Sequence, residues 1–342
     1  MPGFRKIIGT GGIGAGVVYR LSGNHDLGRN ESRPATLLDQ KDYCKLHIIF
    51  HYVARLLREW QHPAEVIPIG AVGDDDTGRR LLAEMQTAGM NLRYVATLKN
   101  AHTLFGTCFV FPDGSGGNLT EKTSASSLVS PAAIRAVEAE LTNQGETCLV
   151  MAAPEIPLRS RAALVRLGRK HGAFTAASFV SEELVEPEVV KLLHFVDLLA
   201  INIDEAAMLA GSAGREKTGK IVKACIRKLV GINPQIKLSL TNGRYGAYAY
   251  SQGELSYLPA LKVRAANTAG AGDAAFAGLI IGLATGLPFI SETELSCFRL
   301  SRLLAAMSVT SVDTINFAIN AASLRDFARA HGELSLLQIQ QR

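Results

Sequence analysis

The chain has 342 residues, enough for one large α/β domain or two smaller ones. Its apolar fraction of 47% and charged fraction of 20% are typical of a soluble globular protein, and the net charge of +5 comes from 36 basic residues spread among 31 acidic ones. This even distribution argues against nucleic acid and against an anionic membrane as partners. Five widely spaced cysteines without a C-x-x-C pair argue against a disulfide framework or a zinc site and favour a cytoplasmic protein.

The predicted elements begin with a short strand at residues 5–8, which enters a glycine run at 9–14. Residues 22–44 are the least regular part of the chain and are predicted to be mostly loop. From residue 65 strands and helices alternate. The strands are predicted at 65–72, 92–98, 103–111, 147–153, 174–179, 198–202 and 236–242, the helices at 77–89, 131–141, 159–172, 182–196 (broken), 203–211 and 217–231, a hairpin at 246–261 turning at Gln252-Gly253, and three final helical segments at 271–286, 292–311 and 323–338.

This alternation predicts a doubly wound α/β fold, in which a mostly parallel sheet carries helices on both faces. Ligands of such sheets bind at the carboxyl ends of the strands. No linker divides the chain, so we expect a single domain over 1–342, with a small β lid within 15–35 and 103–125. Residues 274–291 carry no charge over 18 positions, but their Ala and Gly content and Pro288 favour a buried core helix over a membrane span.

The early glycine run, Gly9-Thr10-Gly11-Gly12-Ile13-Gly14, fits the G-x-G-x-x-G pattern of dinucleotide-binding proteins. That motif requires a following helix of several turns and a later acidic residue at a strand end. Here only VVYRL precedes a polar segment that would break a helix. The run is therefore interpreted as a strand that passes close to the substrate, and a nicotinamide-dependent oxidoreductase remains the less favoured alternative.

A second stretch of small residues, Asn267-Thr268-Ala269-Gly270-Ala271-Gly272-Asp273, precedes an apolar helical segment. Small side chains at 269–272 allow backbone N–H groups to converge on an anion, and the first turn of the helix adds partial positive charge. Such a site suits the charge that develops on a transferring phosphoryl group. Asp273 in the same turn could accept the proton of an attacking hydroxyl. The alternative is an ordinary capping turn with a first-turn aspartate.

The stretch N-T-A-G-A-G-D-A-A-F-A-G-L-I at 267–280 resembles the C-terminal signature of the ribokinase-like (PfkB) carbohydrate kinase family. The resemblance implies a ribokinase-like fold and ATP-dependent phosphorylation of a hydroxyl on a sugar, sugar derivative or nucleoside. It also implies that Asp273 is the general base and that the anion hole is formed by Gly270, Ala271 and Gly272. A non-catalytic ligand-binding protein on the same fold is the alternative.

Three further stretches resemble the family in the expected order. IGAVGDDDTG at 69–78 resembles a strand–turn–helix motif, which is otherwise a turn with Asp76 or Thr77 capping a helix. Asn202-Ile203-Asp204-Glu205 resembles the N-x-x-E motif, which implies that Glu205 holds Mg²⁺ through water, although the same residues form a capping box. The third stretch, 241–246, resembles the loop that lines the ATP site. The nucleotide contacts implied by resemblance are Asn202, Thr241, Asn242, Gly243, Arg244, Gly246 and Thr268.

The first sixty residues depart from the family pattern. Gly14 lies about where the family has an aspartate that holds substrate hydroxyls, and the glycine pair that opens the next helix is missing from residues 42–48. A polar cluster occupies this part of the chain, and it either binds a polar or anionic substrate or forms a solvated surface loop. Its members are Asn24, His25, Asp26, Arg29, Asn30, Glu31, Arg33, Asp42, Lys45 and His47. His47 and His51 could hold a metal, but no third ligand is evident. Family members often form homodimers through the lid and often respond to a monovalent cation; the sequence leaves both open. The candidate substrate residues are Gly12, Gly14, Asn24, Asp26 and Arg29.

Overall fold

A computed structural model of the chain describes residues 3–113, 116–212 and 216–333. The strands are β1 (Lys6–Thr10), β2 (Gly14–Leu21), β3 (Ala35–Tyr43), β4 (Glu65–Gly73), β5 (Tyr94–Leu98), β6 (Leu104–Val110), β7 (Gly116–Thr120), β8 (Cys148–Ala152), β9 (Phe174–Ala177), β10 (Leu198–Asn202), β11 (Lys237–Thr241), β12 (Ala247–Ser251) and β13 (Glu254–Leu258). The helices are α1 (Lys45–Glu59), α2 (Asp76–Ala88), α3 (Pro131–Arg135), α4 (Glu138–Leu141), α5 (Leu158–Lys170), α6 (Pro187–Leu192), α7 (Ile203–Ala210), α8 (Thr218–Ile232), α9 (Ala271–Ala284), α10 (Cys297–Ser308) and α11 (Ala321–Ala330).

The main sheet has the order β13-β12-β11-β10-β9-β8-β1-β4-β5. Its strands from β11 to β5 pair in parallel, and the hairpin β12–β13 adds two antiparallel strands at one edge. The central strand β8 reads CLVMA and is buried at every position, as expected for a parallel strand covered by helices on both faces. The predicted doubly wound α/β fold is confirmed.

A second, four-stranded sheet has the order β3-β2-β6-β7, and we call it the lid sheet. Its strands overlap the predicted lid segments, but the prediction of loop for 22–44 is wrong over Ala35–Tyr43. This segment pairs antiparallel with β2, from Leu21 opposite Ala35 to Gly16 opposite Asp42. It is an edge strand that is exposed at many positions, so its sequence lacks the apolar alternation that marks a half-buried strand.

Helix α9 lies in the core and packs against both α1 and α10. It is buried along nearly its whole length, which explains its uncharged sequence and confirms the prediction of a core helix. Glycines let α10 approach closely, because a Cβ built on Gly278 would lie 2.6 Å from Ser301 Cα. Among the described residues, no helix combines the length and the apolar character needed to cross a membrane.

Three predicted helices differ in extent from the observed ones. The segment 131–141 is divided into α3 and α4 at residues 136–137. Helix α10 begins only at Cys297, because the Ser296 hydroxyl accepts from the Arg299 amide at 3.2 Å and so caps the helix there. The last predicted helix corresponds to α11, and residues 334–338 of that prediction lie outside the described residues.

Candidate active site

The N-terminus of α9 is open. Its N-cap residue Gly270 adopts a left-handed conformation (φ +78°), where a Cβ would lie 2.6 Å from the Thr314 carbonyl oxygen, so the position requires glycine. No side chain caps the helix. The first-turn amides of Gly272 and Asp273 have no acceptor within the helix, and a Cβ on Gly272 would meet none of the described atoms within 4 Å. The turn therefore presents backbone N–H groups to open space.

The loop before α9 is fixed by its own hydrogen bonds. The Thr268 carbonyl accepts from the Ala271 amide at 3.3 Å, and the Asn267 side chain accepts from the Ala269 amide at 2.9 Å. Asn267 also donates to the Val312 carbonyl at 2.8 Å. These three hydrogen bonds fix the backbone of the loop that leads into α9.

Asp273 faces Lys45, the first residue of α1. The Lys45 Nζ lies 3.7 Å from an Asp273 carboxylate oxygen, and the two side chains expose 35% and 14% of their surface. Both groups are surrounded by protein and yet reachable, so they line a recessed cleft. Burial raises the pKa of Asp273 above its ordinary value, and the Lys45 charge partly offsets that effect. Asp273 is therefore a stronger base than a surface aspartate.

Glu155 completes this charged group from the end of β8. Its carboxylate accepts the Lys45 backbone amide at 2.8 Å, at a helix start that has no side-chain cap from its own N-cap residue. Its backbone is left-handed (φ +76°), a strained conformation for a side-chain-bearing residue. Burial raises the pKa of Glu155 to about 7, although Lys45 opposes the shift. A Cβ on Gly12 would lie 2.4 Å from the Glu155 Oε2, so glycine at position 12 makes room for this carboxylate.

Asn202 and Glu205 form a reciprocal capping box at the start of α7. The Asn202 side chain accepts from the Glu205 amide at 2.9 Å, and the Glu205 carboxylate accepts from the Asn202 amide at 2.8 Å. Burial raises the pKa of Glu205, with opposing effects from the Asn202 amide and the Lys45 charge. Glu205 therefore lies within electrostatic range of the group around Asp273.

The predicted nucleotide loop begins beside this capping box, because β10 and β11 are parallel neighbours with Asn202 opposite Thr241. The loop is closed by the Asn242 amide, which donates to the Gly246 carbonyl at 2.8 Å. Gly246 is left-handed (φ +100°), and a Cβ there would lie 2.2 Å from the Leu258 carbonyl oxygen. The intervening residues Gly243–Tyr245 form a 3₁₀ turn in which Arg244 is exposed and donates to the Tyr245 hydroxyl at 2.9 Å.

The comparisons with known proteins agree with this geometry. Residues 50–321 match the family model described as pfkB family carbohydrate kinase. The chain belongs to the pfkB family of carbohydrate kinases. A ribokinase from Schizosaccharomyces pombe (strain 972 / ATCC 24843) is 28% identical over 277 residues, which cover 78% of this chain and 83% of that protein.

Solved structures of similar fold include a nucleoside kinase from Burkholderia thailandensis in complex with inosine (TM-score 0.73, 16% identity, covering 95% of this chain and 98% of that one). A ribokinase from Arabidopsis thaliana complexed with ribose and ATP has a TM-score of 0.68 and 18% identity, covering 99% of both chains. At these identities the two structures establish the ribokinase-like fold alone. Membership of the pfkB family makes this protein a kinase.

The oxidoreductase alternative is wrong. The early glycine run connects strand β1 to strand β2, and no helix follows it within the described residues, as a dinucleotide motif would require. Gly14 starts β2, where a Cβ would lie 2.4 Å from the Leu104 carbonyl oxygen and 2.8 Å from the Cys44 sulfur. In this pfkB kinase the run therefore joins two strands and packs closely against other parts of the chain. That it passes close to the substrate stays a prediction.

The polar residues Asn24, Asp26 and Arg29 lie in the exposed loop between β2 and β3. Asn24 accepts from the Asp113 amide at 3.2 Å. The loop is at the opposite end of the β2–β3 pair from Asp42, about 17 Å away, because five residue steps of β2 separate the partner of Asp42 from the partner of Ala35. The structure does not bring these three side chains to Asp273.

His47 and His51 lie on α1, and in the part of the chain that the structure describes no cluster of three possible metal ligands occurs. The Asp76 or Thr77 cap predicted for α2 is wrong, because the Asp75 side chain accepts from the Gly78 amide at 2.7 Å.

Sequence reasoning missed Glu155 and placed Lys45 only in a general polar cluster. The available signal for Glu155 was its position, three residues after the end of the buried strand β8, where ligands of parallel sheets bind. Lys45 had no comparable signal, since its role follows from a contact with a residue more than two hundred positions away.

Proposed function

We propose that this pfkB kinase transfers the γ-phosphate of ATP to a hydroxyl of a sugar, sugar derivative or nucleoside, with Asp273 as the general base. The observation that carries the proposal is the uncapped start of α9. The Gly272 and Asp273 amides have no acceptor within the helix there, and open space lies beside Gly272, next to the partly buried Asp273 carboxylate. A helix start of this kind binds a phosphoryl group, and a carboxylate in the same turn can reach an attacking hydroxyl.

In the proposed step the acceptor oxygen forms a bond to the γ-phosphorus as its proton passes to the Asp273 carboxylate. The bond between that phosphorus and the bridging oxygen breaks, and ADP leaves with the electron pair. The backbone N–H groups of 270–273 stabilise the negative charge on the transferring phosphoryl oxygens. Lys45 keeps Asp273 ionised before the step, because its positive charge lowers the pKa that burial raises.

The nucleotide would lie along Thr268 and the loop 241–246, with Asn202 near its phosphates. Mg²⁺ would be held by Glu205 through water, and this fits the structure because Mg²⁺ uses one or two carboxylates together with phosphate oxygens rather than an all-protein cage. The bound ion would neutralise charge on the phosphates. A homodimer, a monovalent-cation requirement, a single domain over 1–342 and a cytoplasmic location stay predictions.

The test is the substitution Asp273→Asn, assayed by coupled ADP release with a panel of sugars and nucleosides. We expect turnover to fall by at least about 10³-fold while ATP affinity, measured by calorimetry, is retained. The matched control is Asp76→Asn, since Asp76 is also a first-turn helix aspartate but is fully exposed. Wild-type turnover in Asp273→Asn would rule out Asp273 as the general base. A wild-type protein that binds ATP without phosphorylating any acceptor would favour the non-catalytic alternative.

A further inference from the structure

The Asp42 side chain of the lid sheet lies over two glycines of the neighbouring strands. It pairs with Gly16 of β2, and Gly16 pairs in turn with Gly106 of β6. A Cβ on Gly16 would lie 2.6 Å from an Asp42 carboxylate oxygen, and one on Gly106 would lie 3.9 Å from the same oxygen. Because neither neighbour has a side chain, the carboxylate lies across the surface of the lid sheet with space beside it.

The Asp42 carboxylate is held by neutral groups. The Cys108 thiol, two residues beyond Gly106, lies 3.3 Å from it. The Thr314 hydroxyl accepts from the Tyr43 amide at 3.0 Å and also interacts with the carboxylate. No ion pair among the described residues includes Asp42, and Lys45 has only a small electrostatic effect on it. The carboxylate therefore keeps capacity to accept further hydrogen bonds.

Asp42 belongs to the active site because it is tied to the α9 turn. The Thr314 amide donates to the Lys41 carbonyl at 3.1 Å, and the Thr314 carbonyl packs against Gly270. The negative charge of Asp42 also raises the pKa of Asp273, so the two carboxylates are within electrostatic range. Asp42 and the proposed base therefore lie near each other, joined through Thr314.

The balance of charge in this cleft is negative. One ammonium, Lys45, stands among the carboxylates of Asp42, Glu155, Glu205 and Asp273. Carboxylates accept hydrogen bonds from hydroxyl groups, whereas a phosphate or carboxylate on the acceptor would face like charges at low local dielectric. This charge balance disfavours acceptors that carry a phosphate or a carboxylate, a substrate class that the polar cluster left open.

We propose, resting on the kinase function above, that Asp42 binds a hydroxyl of the acceptor and, together with Glu155, restricts acceptors to polyhydroxy compounds that carry no anionic group. Position 14 cannot supply such a carboxylate, because the space beside Gly14 is filled by the Leu104 carbonyl and the Cys44 sulfur. The carboxylate comes instead from the lid strand β3. Asp42 is thus a specificity-determining residue of this chain.

The experiment compares ribose, fructose and inosine with ribose 5-phosphate, fructose 6-phosphate and gluconate as acceptors, in wild type and Asp42→Asn. We expect only the neutral compounds to be efficient acceptors. In Asp42→Asn the KM for the best neutral acceptor should rise about tenfold or more, while the KM for ATP stays within about twofold. The matched control Asp39→Asn alters an exposed aspartate of the same strand and should change neither.

A second variant, Gly106→Ala, tests the same site without changing Asp42, so the inference can still be tested if Asp42→Asn does not fold. Its added methyl would have only ordinary contacts, at 3.8 Å from the Leu119 carbonyl oxygen and 3.9 Å from Asp42, yet it would occupy the space beside the carboxylate. We expect an unchanged melting temperature and a raised acceptor KM.

Preference for an anionic acceptor, or an unchanged acceptor KM in both variants, overturns the inference and leaves the kinase function standing. If no compound is phosphorylated, the proposed function fails. In that case the inference is tested by measuring the binding of the same six compounds by calorimetry. It requires that the neutral compounds bind more tightly than the anionic ones and that Asp42→Asn weakens the binding of the neutral compounds.

Discussion

Helix α1 carries two buried histidines one turn apart, and they predict a specific sensitivity to acid. His47 and His51 expose 0% and 4% of their surface, and none of their four ring nitrogens has a hydrogen-bond partner among the described residues. The His47 ring packs edge-on against Tyr43, and the His51 ring packs edge-on against Phe317. Burial lowers the pKa of His51 from 6.5 to about 3 and also lowers that of His47.

The direction in which pH changes the free energy of unfolding follows from proton linkage. The unfolded chain protonates both histidines near pH 6.5, whereas the folded chain keeps them neutral to much lower pH, so the histidines destabilise the fold as the pH falls below 6.5. One pH unit below that value, at pH 5.5, each histidine costs about 1.4 kcal/mol of unfolding free energy, against about 0.1 kcal/mol at pH 7.5. The pair should therefore cost about 2.7 kcal/mol between the two pH values.

The perturbation is the double substitution His47→Leu, His51→Leu, which keeps similar volume and removes the buried, unpaired nitrogens. Urea unfolding at pH 7.5 and pH 5.5 gives the free energy of unfolding of each protein. We expect the difference between variant and wild type to move by about 2.7 kcal/mol in the variant's favour at the lower pH. The exposed His194, changed to Gln, is the control. Parallel loss of stability in wild type and double variant would refute the reasoning.

Three further predictions concern the active site and the core. Lys45→Met should raise the pKa of Asp273, because it removes the charge that lowers it, and so move the acid limb of the kcat/KM profile to higher pH. Gly272→Ala should leave the melting temperature unchanged or higher but raise the KM for ATP about tenfold or more, since its methyl enters the open space at α9; Gly219→Ala, at the matching position of α8, should leave the KM unchanged. Arg161→Met removes a buried guanidinium from its carboxylate partner and should lower the free energy of unfolding by about 3 kcal/mol in urea titrations.

Much of the fold could be predicted because its elements are long or buried. The alternation from residue 65 onwards follows from apolar periodicity, and the hairpin turn at Gln252-Gly253 follows from its local chemistry. The prediction failed where neither signal operates. Segment Ala35–Tyr43 is an exposed edge strand, and it is a strand because it pairs with β2 rather than because of an apolar pattern of its own. The break in 131–141 lies inside a continuous helical pattern.

The active site, like the fold, could be predicted from the sequence only in part. The open start of α9 could be found because a helix terminus is local: Gly270 and Asp273 belong to one turn of the chain. The contacts of Asp273 with its surroundings could not be found, since they join residues far apart in sequence. The Lys45 amide donates to the Glu155 carboxylate across 110 residues of sequence, and no local pattern predicts such a contact.

Gly12 belongs to a local sequence motif and also to a contact between residues that are far apart in the chain. Its sequence context fits a nucleotide-binding glycine, yet its missing side chain makes room for the Glu155 carboxylate rather than for a phosphate. That carboxylate in turn accepts the first amide of α1 and so fixes Lys45 beside Asp273. A side chain at position 12 would therefore displace Glu155, remove the acceptor of the Lys45 amide at the start of α1 and disturb the contact between Lys45 and Asp273. This explains why the connection between β1 and β2 needs glycine at this position.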